Sequence, residues 1–328
     1  MSEDLFVQKI DLTRQGNVVG TFDLGYLKRI TYVETIDLSG PRLMLTMDDP
    51  DGYLSDTIRV MERDTLQVDF CDKWIIDRSD FSIPFTVMTA PKQGSIIEYE
   101  AFEANLAKLK NISKQGASFQ NKPVDFILRQ LAPGLKYDVE PLPPITAMLP
   151  PGARPSKIIR QAAYEQGAAA FVCRGTLNYK TFDLLLLGQP VDSIYYYKIS
   201  DKLKQITDYE KPNSTALFKS HVERKYLGWS MSEGLIESNS GAGLTPEFSE
   251  VDKQLSLNNL SKIPYPAIDF TTLGNANLRP GIKLKLVWGT DRVDTPIDES
   301  LPEEVIIGTV AHHYSEQSYT CRVVGVLI

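Results

Sequence analysis

Apolar and polar residues alternate through most of the first third of the chain, in short runs broken by turn residues: NVVGTFDLGY, RITYVETIDL, PRLMLTMD, DTLQVDFCDKWIID, FSIPFTVMTA and SIIEYEAF. A period of two, with β-branched and aromatic residues inside each run, predicts antiparallel strands. Near Gly116 the period changes. In KPVDFILRQLAPG, Val124, Ile127, Leu128 and Leu131 fall at helical spacing behind a Pro suited to a first turn, and Pro-Gly closes the run. A second helix is predicted in RPSKIIRQAAYEQG, with Ile158, Ile159, Ala162 and Ala163 on its apolar side and Gly167 as its stop. AAAFVCRG and TLNYKTFDLLLL then read as strands of a hairpin turning at Arg174 to Asn178. Between the two helices, EPLPPITAMLPPGARP is predicted to be extended, because each Pro fixes φ and restricts its predecessor.

The last third returns to strand text in SIYYYKIS, ALFKSHVERKYLGW, GIKLKLVWG, EVIIGTVAHHY and YTCRVVGVLI. Alternation through the tyrosine run puts Tyr195 and Tyr197 on one face and Tyr196 on the other. A polar excursion, SMSEGLIESNSGAGLTPEFSE, is too long for an ordinary hairpin loop and predicts a loop over 226–252 that orders on assembly. There is an internal echo: RDTLQVDF, FTVMTAP and SIIEYEAFEA find counterparts in RPGIKLKLVW, VIIGTVAHHY and SYTCRVVGV. The expected fold is mainly β with an α/β insert and two related antiparallel β-barrels: residues 1–112, an insert over 113–195, and 196–328.

At 328 residues and 42% hydrophobic, the chain is long enough to bury a sizeable core over two or three domains. No apolar run approaches a membrane span, and MSEDLFVQKI lacks the regions of a signal peptide, so a soluble chain made in the cytoplasm is expected. A formal net charge of -7 disfavours general nucleic-acid binding, which needs clustered Lys and Arg. It suits a surface that DNA passes without sticking. The three cysteines, Cys71, Cys173 and Cys321, lie apart in strand-like text, so neither disulfides nor zinc is expected.

Candidate chemistry is sparse. MDDPDGYLSD carries four acids, but with Gly52 at the sixth position of a calcium loop, Met47 and Ile58 occupy the first and twelfth, where acids are required. Pro, Asp and Gly together favour a surface turn there. DRVDTPIDESLPEE, with Asp291, Asp294, Asp298, Glu299, Glu303 and Glu304, reads as a solvated loop or an acidic rim. His221, His312 and His313 are the only histidines, and the neighbouring pair in VAHHYSE points to opposite faces of a strand, one buried and one exposed. No nucleophile elbow, P-loop or Cys-x-x-Cys appears. No cofactor or metal is expected. Two chemical readings stay open: a peptidoglycan-cleaving enzyme using carboxylates such as Asp49 and Asp51, and a glycan-binding module stacking sugars on Trp229 and Trp288.

Four stretches in order resemble the baseplate hub proteins of contractile phage tails, of the late control protein D type, related to the hub part of type VI secretion spike proteins. They are PRLMLTMDDPDGYLSDTIRVMERDTLQVDF, ISKQGASFQNKPVDFILRQLAPGLKYDV, PSKIIRQAAYEQGAAAFVCRGTLNYKTFDLLL and LGNANLRPGIKLKLVW. The resemblance implies two tube-forming barrels and a homotrimer whose six barrels form a pseudo-sixfold ring joining a hexameric tail tube to a trimeric central spike. It also implies contacts with other baseplate proteins, a lumen through which DNA passes, a place in the virion tail, and no enzymatic activity. The acidic turn falls where that pattern has one, and the acidic balance is expected partly to face the lumen. Expected assembly residues are Gly274, Asn275, Leu278, Arg279, Pro280 and Gly281 in the second barrel's turn, Trp229 in the long loop, and Tyr195 and Tyr197.

Overall fold

The computed structural model describes residues 7–70, 81–197, 204–212, 224–238, 246–249, 251–289, 298–315 and 318–328. The first module comprises β1 (Val7–Arg14), β2 (Asn17–Thr21), β3 (Leu27–Thr35), β4 (Arg42–Asp48), β5 (Thr65–Phe70), β6 (Phe81–Thr89), β7 (Lys92–Gln93) and β8 (Ile96–Glu103). They pair antiparallel in the order β2-β1-β5-β6-β8-β4-β3, with β7 beside β8. The pleat turns the sequence alternation into an inside and an outside. Leu43, Leu45 and Met47 of β4 and Leu66, Val68 and Phe70 of β5 are buried, while the residues between them are half-buried or exposed. These side chains share one core with Ile10, Ile30, Tyr32, Phe85 and Tyr99. Tyr32 stacks on Phe70 at 5.0 Å between centroids and meets Phe85 edge-on at 5.8 Å.

The insert runs through α1 (Ala104–Lys110), β9 (Ala117–Lys122), α2 (Val124–Leu131), β10 (Lys136–Val139), β11 (Ile145–Leu149), α3 (Pro155–Glu165), β12 (Ala168–Cys173), β13 (Thr176–Thr181) and α4 (Phe182–Leu187). Its three-stranded sheet is ordered β10-β13-β12, and β9 pairs with β11. Both expected helices form. Val124, Ile127 and Leu128 bury one face of α2, and Ile159, Ala162 and Ala163 one face of α3. Gly167 follows α3 at φ +60°. The hairpin β12–β13 turns on Arg174 and Gly175, both at positive φ, as a tight two-residue turn demands.

Three expectations change here. FDLLLL is not strand: the Thr181 hydroxyl accepts the Leu184 amide at 3.2 Å and starts α4, so a cap overrides an apolar run. The proline-rich stretch is extended as expected, yet Ile145–Leu149 within it is the paired strand β11. The insert's first helix, α1, begins before Gly116, where buried Glu103 accepts the Leu106 amide at 2.7 Å.

The second barrel is built from β14 (Asp192–Tyr196), β15 (Gln205–Glu210), then β16 (Tyr226–Ser230), β17 (Gly234–Glu237), β18 (Glu247–Phe248) and α5 (Gln254–Asn259), then β19 (Tyr265–Leu273), β20 (Lys283–Trp288), β21 (Glu304–Ser315) and β22 (Ser318–Leu327). Six of these close a circuit, β14-β20-β21-β22-β19-β15 and back to β14. Its core holds Ile194, Ile206, Phe270, Leu286, Trp288 and Val323. The Trp288 indole donates to the Pro302 carbonyl at 2.8 Å, so its one polar atom is satisfied inside. The strand spanning the expected boundary at 195/196 lies wholly in this barrel, because Asp192–Tyr196 pairs along β20.

Strand order repeats between the two modules. The path β1-β5-β6-β8-β4-β3 of the first corresponds position by position to β14-β20-β21-β22-β19-β15 of the second. The stretches that echo each other in sequence are β5-β6-β8 and β20-β21-β22, each a three-strand antiparallel meander. The copies differ at one end: β14 runs parallel to β15 and β20 and closes its barrel, whereas β1 pairs antiparallel with β5 and has no described pairing with β3. Instead β3 pairs with β21, so one continuous sheet joins the modules.

Candidate assembly surfaces and the junction between the barrels

The seam between β3 and β21 runs in register from Thr309 opposite Thr35 to Ser315 opposite Arg29. Tyr32 and His312 lie opposite each other, and their rings stack at 5.9 Å. Glu34 and His312 are both fully buried, with Glu34 Oε2 3.7 Å from His312 Nε2. The tip of the insert's hairpin reaches the same place. The Cys173 thiol donates to Glu34 Oε1 at 3.2 Å, and Arg174 Nε lies 3.9 Å from Glu34 Oε2. The Arg174 guanidinium also sits 4.4 Å over the Phe81 ring and donates to the Ala276 carbonyl. His312 Nδ1 lies 2.9 Å from the Tyr319 hydroxyl and 3.3 Å from Cys321 Sγ. First barrel, insert and second barrel therefore meet on one buried charge cluster.

The electrostatics keep both partners charged. Burial alone would raise the Glu34 pKa, but His312 and Arg174 outweigh it and hold the carboxyl below its ordinary range. Burial pulls His312 down, and its contacts to Cys321 and Glu34 push it up to about 9. Burial, reinforced by Glu34, raises the Cys173 thiol well above its usual value. A thiol kept neutral beside a carboxylate is a poor nucleophile, so this cluster suits a structural key and not a catalytic dyad. His313, on the opposite face of the strand, is partly exposed and bonds Thr31 Oγ1 through Nδ1 at 2.8 Å.

The acidic turn links β4 to β5 through one wide helical turn over Tyr53–Ile58, entered by Gly52 at φ +69°. Asp49 is 4% exposed and accepts the Leu54 and Ser55 amides, one on each carboxylate oxygen, both at 3.0 Å. Burial raises its pKa, but those hydrogen bonds and Lys92 outweigh it and leave the carboxyl depressed. Asp51 accepts the Tyr26 hydroxyl at 3.3 Å. Asp49 thus anchors its own loop. In the second acidic stretch, Asp291 and Asp294 lie outside the described residues; Asp298 accepts from Ser300, and Glu303 and Glu304 pair with Lys285 and Lys283. His221 and Cys71 also lie outside the described residues, while Cys173 and Cys321 are buried free thiols.

The expected assembly residues separate into internal and exposed sets. Leu278 is buried in the second barrel's core, and a Cβ at Gly274 would lie 1.9 Å from the Tyr319 ring. The Asn275 amide donates to Cys321 Sγ at 3.3 Å. Gly281, at φ +81°, faces Phe171 of the insert, and with Arg279 and Pro280 it borders a pocket of about 280 Å³ shared with Arg174. Only Arg279 of that turn is exposed, apart from Asn277. Tyr195 is half-buried. Tyr197 does not continue the alternation, because β14 ends at Tyr196 and Tyr197 takes φ +73°. Tyr196 packs against Tyr209 and Trp288.

Trp288 is 2% exposed, which removes it as a sugar platform. Trp229 lies in a strand and not in an open loop. Residues 226–252, expected to form a loop that orders on assembly, include a three-stranded sheet ordered β17-β16-β18. Tyr226, Ile236, Leu257 and Leu260 form its own small core beneath. On the other face Trp229 stands opposite Leu235, and Leu227 opposite Phe248. Trp229, Leu235 and Phe248 are each more than half exposed. Alternation within LGWS and GLIE carried this signal, masked by the Gly and Ser residues around it.

No family model matches the chain, and no curated protein sequence does so. Solved structures do. A tail protein from Neisseria meningitidis superposes with a TM-score of 0.63 at 11% identity, covering 97% of this chain and 96% of that one. The 43 kDa tail protein of prophage MuSo2 from Shewanella oneidensis gives 0.61 at 12% identity, over 97% and 96%. The prophage tail protein gp18 from Listeria monocytogenes gives 0.59 at 10%, over 97% and 94%. The chain has the fold of phage tail proteins. At these identities the likeness is one of architecture, end to end, and it agrees with the resemblance carried by the four sequence stretches.

Proposed function

We propose that the chain is a structural hub of a phage tail baseplate. Three copies close into a ring of six barrels that joins a hexameric tail tube to a threefold central spike. The observation that carries this is the repeated strand order: one chain supplies two β modules of the same strand order, side by side in one sheet, which is what a threefold-to-sixfold adaptor needs. The fold shared with tail proteins supports a place in the virion tail, beside other baseplate proteins. DNA passes through the lumen without specific binding, past a chain of net charge -7.

The Trp229 face packs against the next copy in the ring, since an apolar sheet face is stable when covered. The exposed strand β2, with Val18 and Val19 largely in solvent, offers a second edge for strand pairing between copies. Tyr195, Tyr197 and Arg279 border the ring contacts. Sedimentation of the purified chain over a range of concentrations tests the assembly. A species of three chains supports the reading. A monomer at every concentration, unchanged on adding tail tube and spike proteins, contradicts it.

A further inference from the structure

Beside the first turn of α3 lies a pocket of about 520 Å³, lined by Leu38, Ser39, Lys110, Gly152, Ala153, Arg154, Ser156, Lys157 and Arg160. Its chemistry runs against that of the chain. In a protein with net charge -7, four cations border one opening, and Arg42 lies close enough to act on Lys110. None of these five forms an ion pair among the described residues. The nearby acid, Asp37, is engaged by its own loop: Oδ1 accepts from the Thr35 hydroxyl at 2.7 Å and the Ser39 amide at 2.9 Å.

The floor is polar and unspent. Ser156 is 5% exposed, lines the pocket, and its hydroxyl has no hydrogen-bond partner among the described residues. The N-cap residue of α3, Arg154, provides no side-chain acceptor, Pro155 has no N–H and the Lys157 amide bonds the Arg154 carbonyl at 3.0 Å, so the Ser156 amide and the positive end of the helix dipole remain at the pocket. Lys110 is half-buried, with Nζ 3.4 Å from the Ser39 carbonyl and 4.1 Å over the Phe102 ring. Burial lowers its pKa; Asp37, which also feels Arg160, opposes this, and Arg160, Arg42 and Arg154 add to it, as cations in excess of one acid would.

We propose that this pocket binds the carboxylates of an acidic segment of a partner protein chain. Spacing favours a segment over a compact anion. Arg154 at the N-cap of α3 and Lys157 and Arg160 within its first two turns line the pocket over about 9 Å. A single phosphate meets one or two such groups, whereas about three residues of extended chain span the row. Arginine forks grip carboxylates bidentately, and the Ser156 hydroxyl donates to the innermost one.

The test is calorimetric titration of the full chain at low ionic strength with a hexaglutamate peptide, its hexaglutamine counterpart, and inorganic phosphate. Hexaglutamate binds the wild type; Arg154→Gln with Arg160→Gln weakens it by roughly tenfold or more, and Ser156→Ala by a smaller factor. Both substituted arginines are exposed, and circular dichroism checks that the fold is kept. The control, Lys122→Gln with Lys136→Gln, removes two exposed cations elsewhere and binds as the wild type does. The proposal is overturned if hexaglutamate fails to bind, if the control weakens binding as much as the pocket variant, if hexaglutamine binds equally, or if phosphate alone matches hexaglutamate.

Discussion

Replacing Glu34 by Gln keeps the shape of the side chain at the barrel junction and removes its charge. Glu34 and His312 are fully buried 3.7 Å apart, so the loss leaves an imidazolium without its carboxylate, beside the Tyr319 hydroxyl, Cys321 Sγ and another cation, Arg174. His312 then gives up its proton instead of staying charged. The stabilisation lost is bounded by how far the fold raises its pKa, from 6.5 to about 9. At about 1.4 kcal/mol per tenfold change in proton affinity, that is roughly 3 kcal/mol. Breaking buried pairs by removing one partner commonly costs about 3–5 kcal/mol.

The sign fixes the pH window. A raised histidine contributes fully below about 6.5 and its contribution disappears as pH rises through about 9. The depressed Glu34 contributes above its unfolded range and is lost on acidification. Guanidinium unfolding followed by tryptophan fluorescence, with Trp288 buried in the second barrel's core, reads the effect. Because Cys321 shares in raising His312, Glu34→Gln is expected to lose between about 1 and 3 kcal/mol at pH 6 and under about 1 kcal/mol at pH 9.5. A variant within about 1 kcal/mol of the parent at pH 6, or a deficit unchanged at pH 9.5, would refute the junction's role.

How legible this was in the sequence depends on the range of the interaction. Period two in PRLMLTMD and DTLQVDF, and helical spacing at Val124 to Leu131, report local burial and are recovered as β4, β5 and α2. The echo between SIIEYEAFEA and SYTCRVVGV likewise corresponds to equivalent strands. What escaped depended on caps or distant partners. The hydroxyl of Thr181 and the carboxyl of Glu103 start helices that their apolar runs do not announce. Glu34, separated from Cys173 by 139 positions, gives no sequence sign of its burial. Alternation in VAHHYSE is enough to separate a buried His312 from a partly exposed His313, but it says nothing of the carboxylate beside His312. Trp288 falls in the core because it ends the inward-facing set of β20, and Leu278 because the turn between β19 and β20 folds back over the same core, a closure that spacing does not reveal.

Gly274→Ala is expected to cost more than about 2 kcal/mol in chemical denaturation, since its Cβ would enter the Tyr319 ring that bonds His312; near-parent stability would show that the turn yields. Trp229→Ser with Phe248→Ser is expected to leave the unfolding midpoint nearly unchanged, because both side chains are exposed, while weakening self-association in sedimentation; an unaltered sedimentation profile would remove that face from the interface. Asp49→Asn is expected to lose roughly 1–2 kcal/mol of stability from its two amide bonds. A loss of cell-wall lysis on this substitution, with stability intact, would instead favour the carboxylate enzyme.

Electron microscopy of the assembled species tests the central claim most directly. Class averages viewed down the ring axis should show a central hole surrounded by six barrel densities of two alternating kinds, with threefold symmetry. A compact particle without a hole, or a ring with a number of barrels other than six, would contradict the hub.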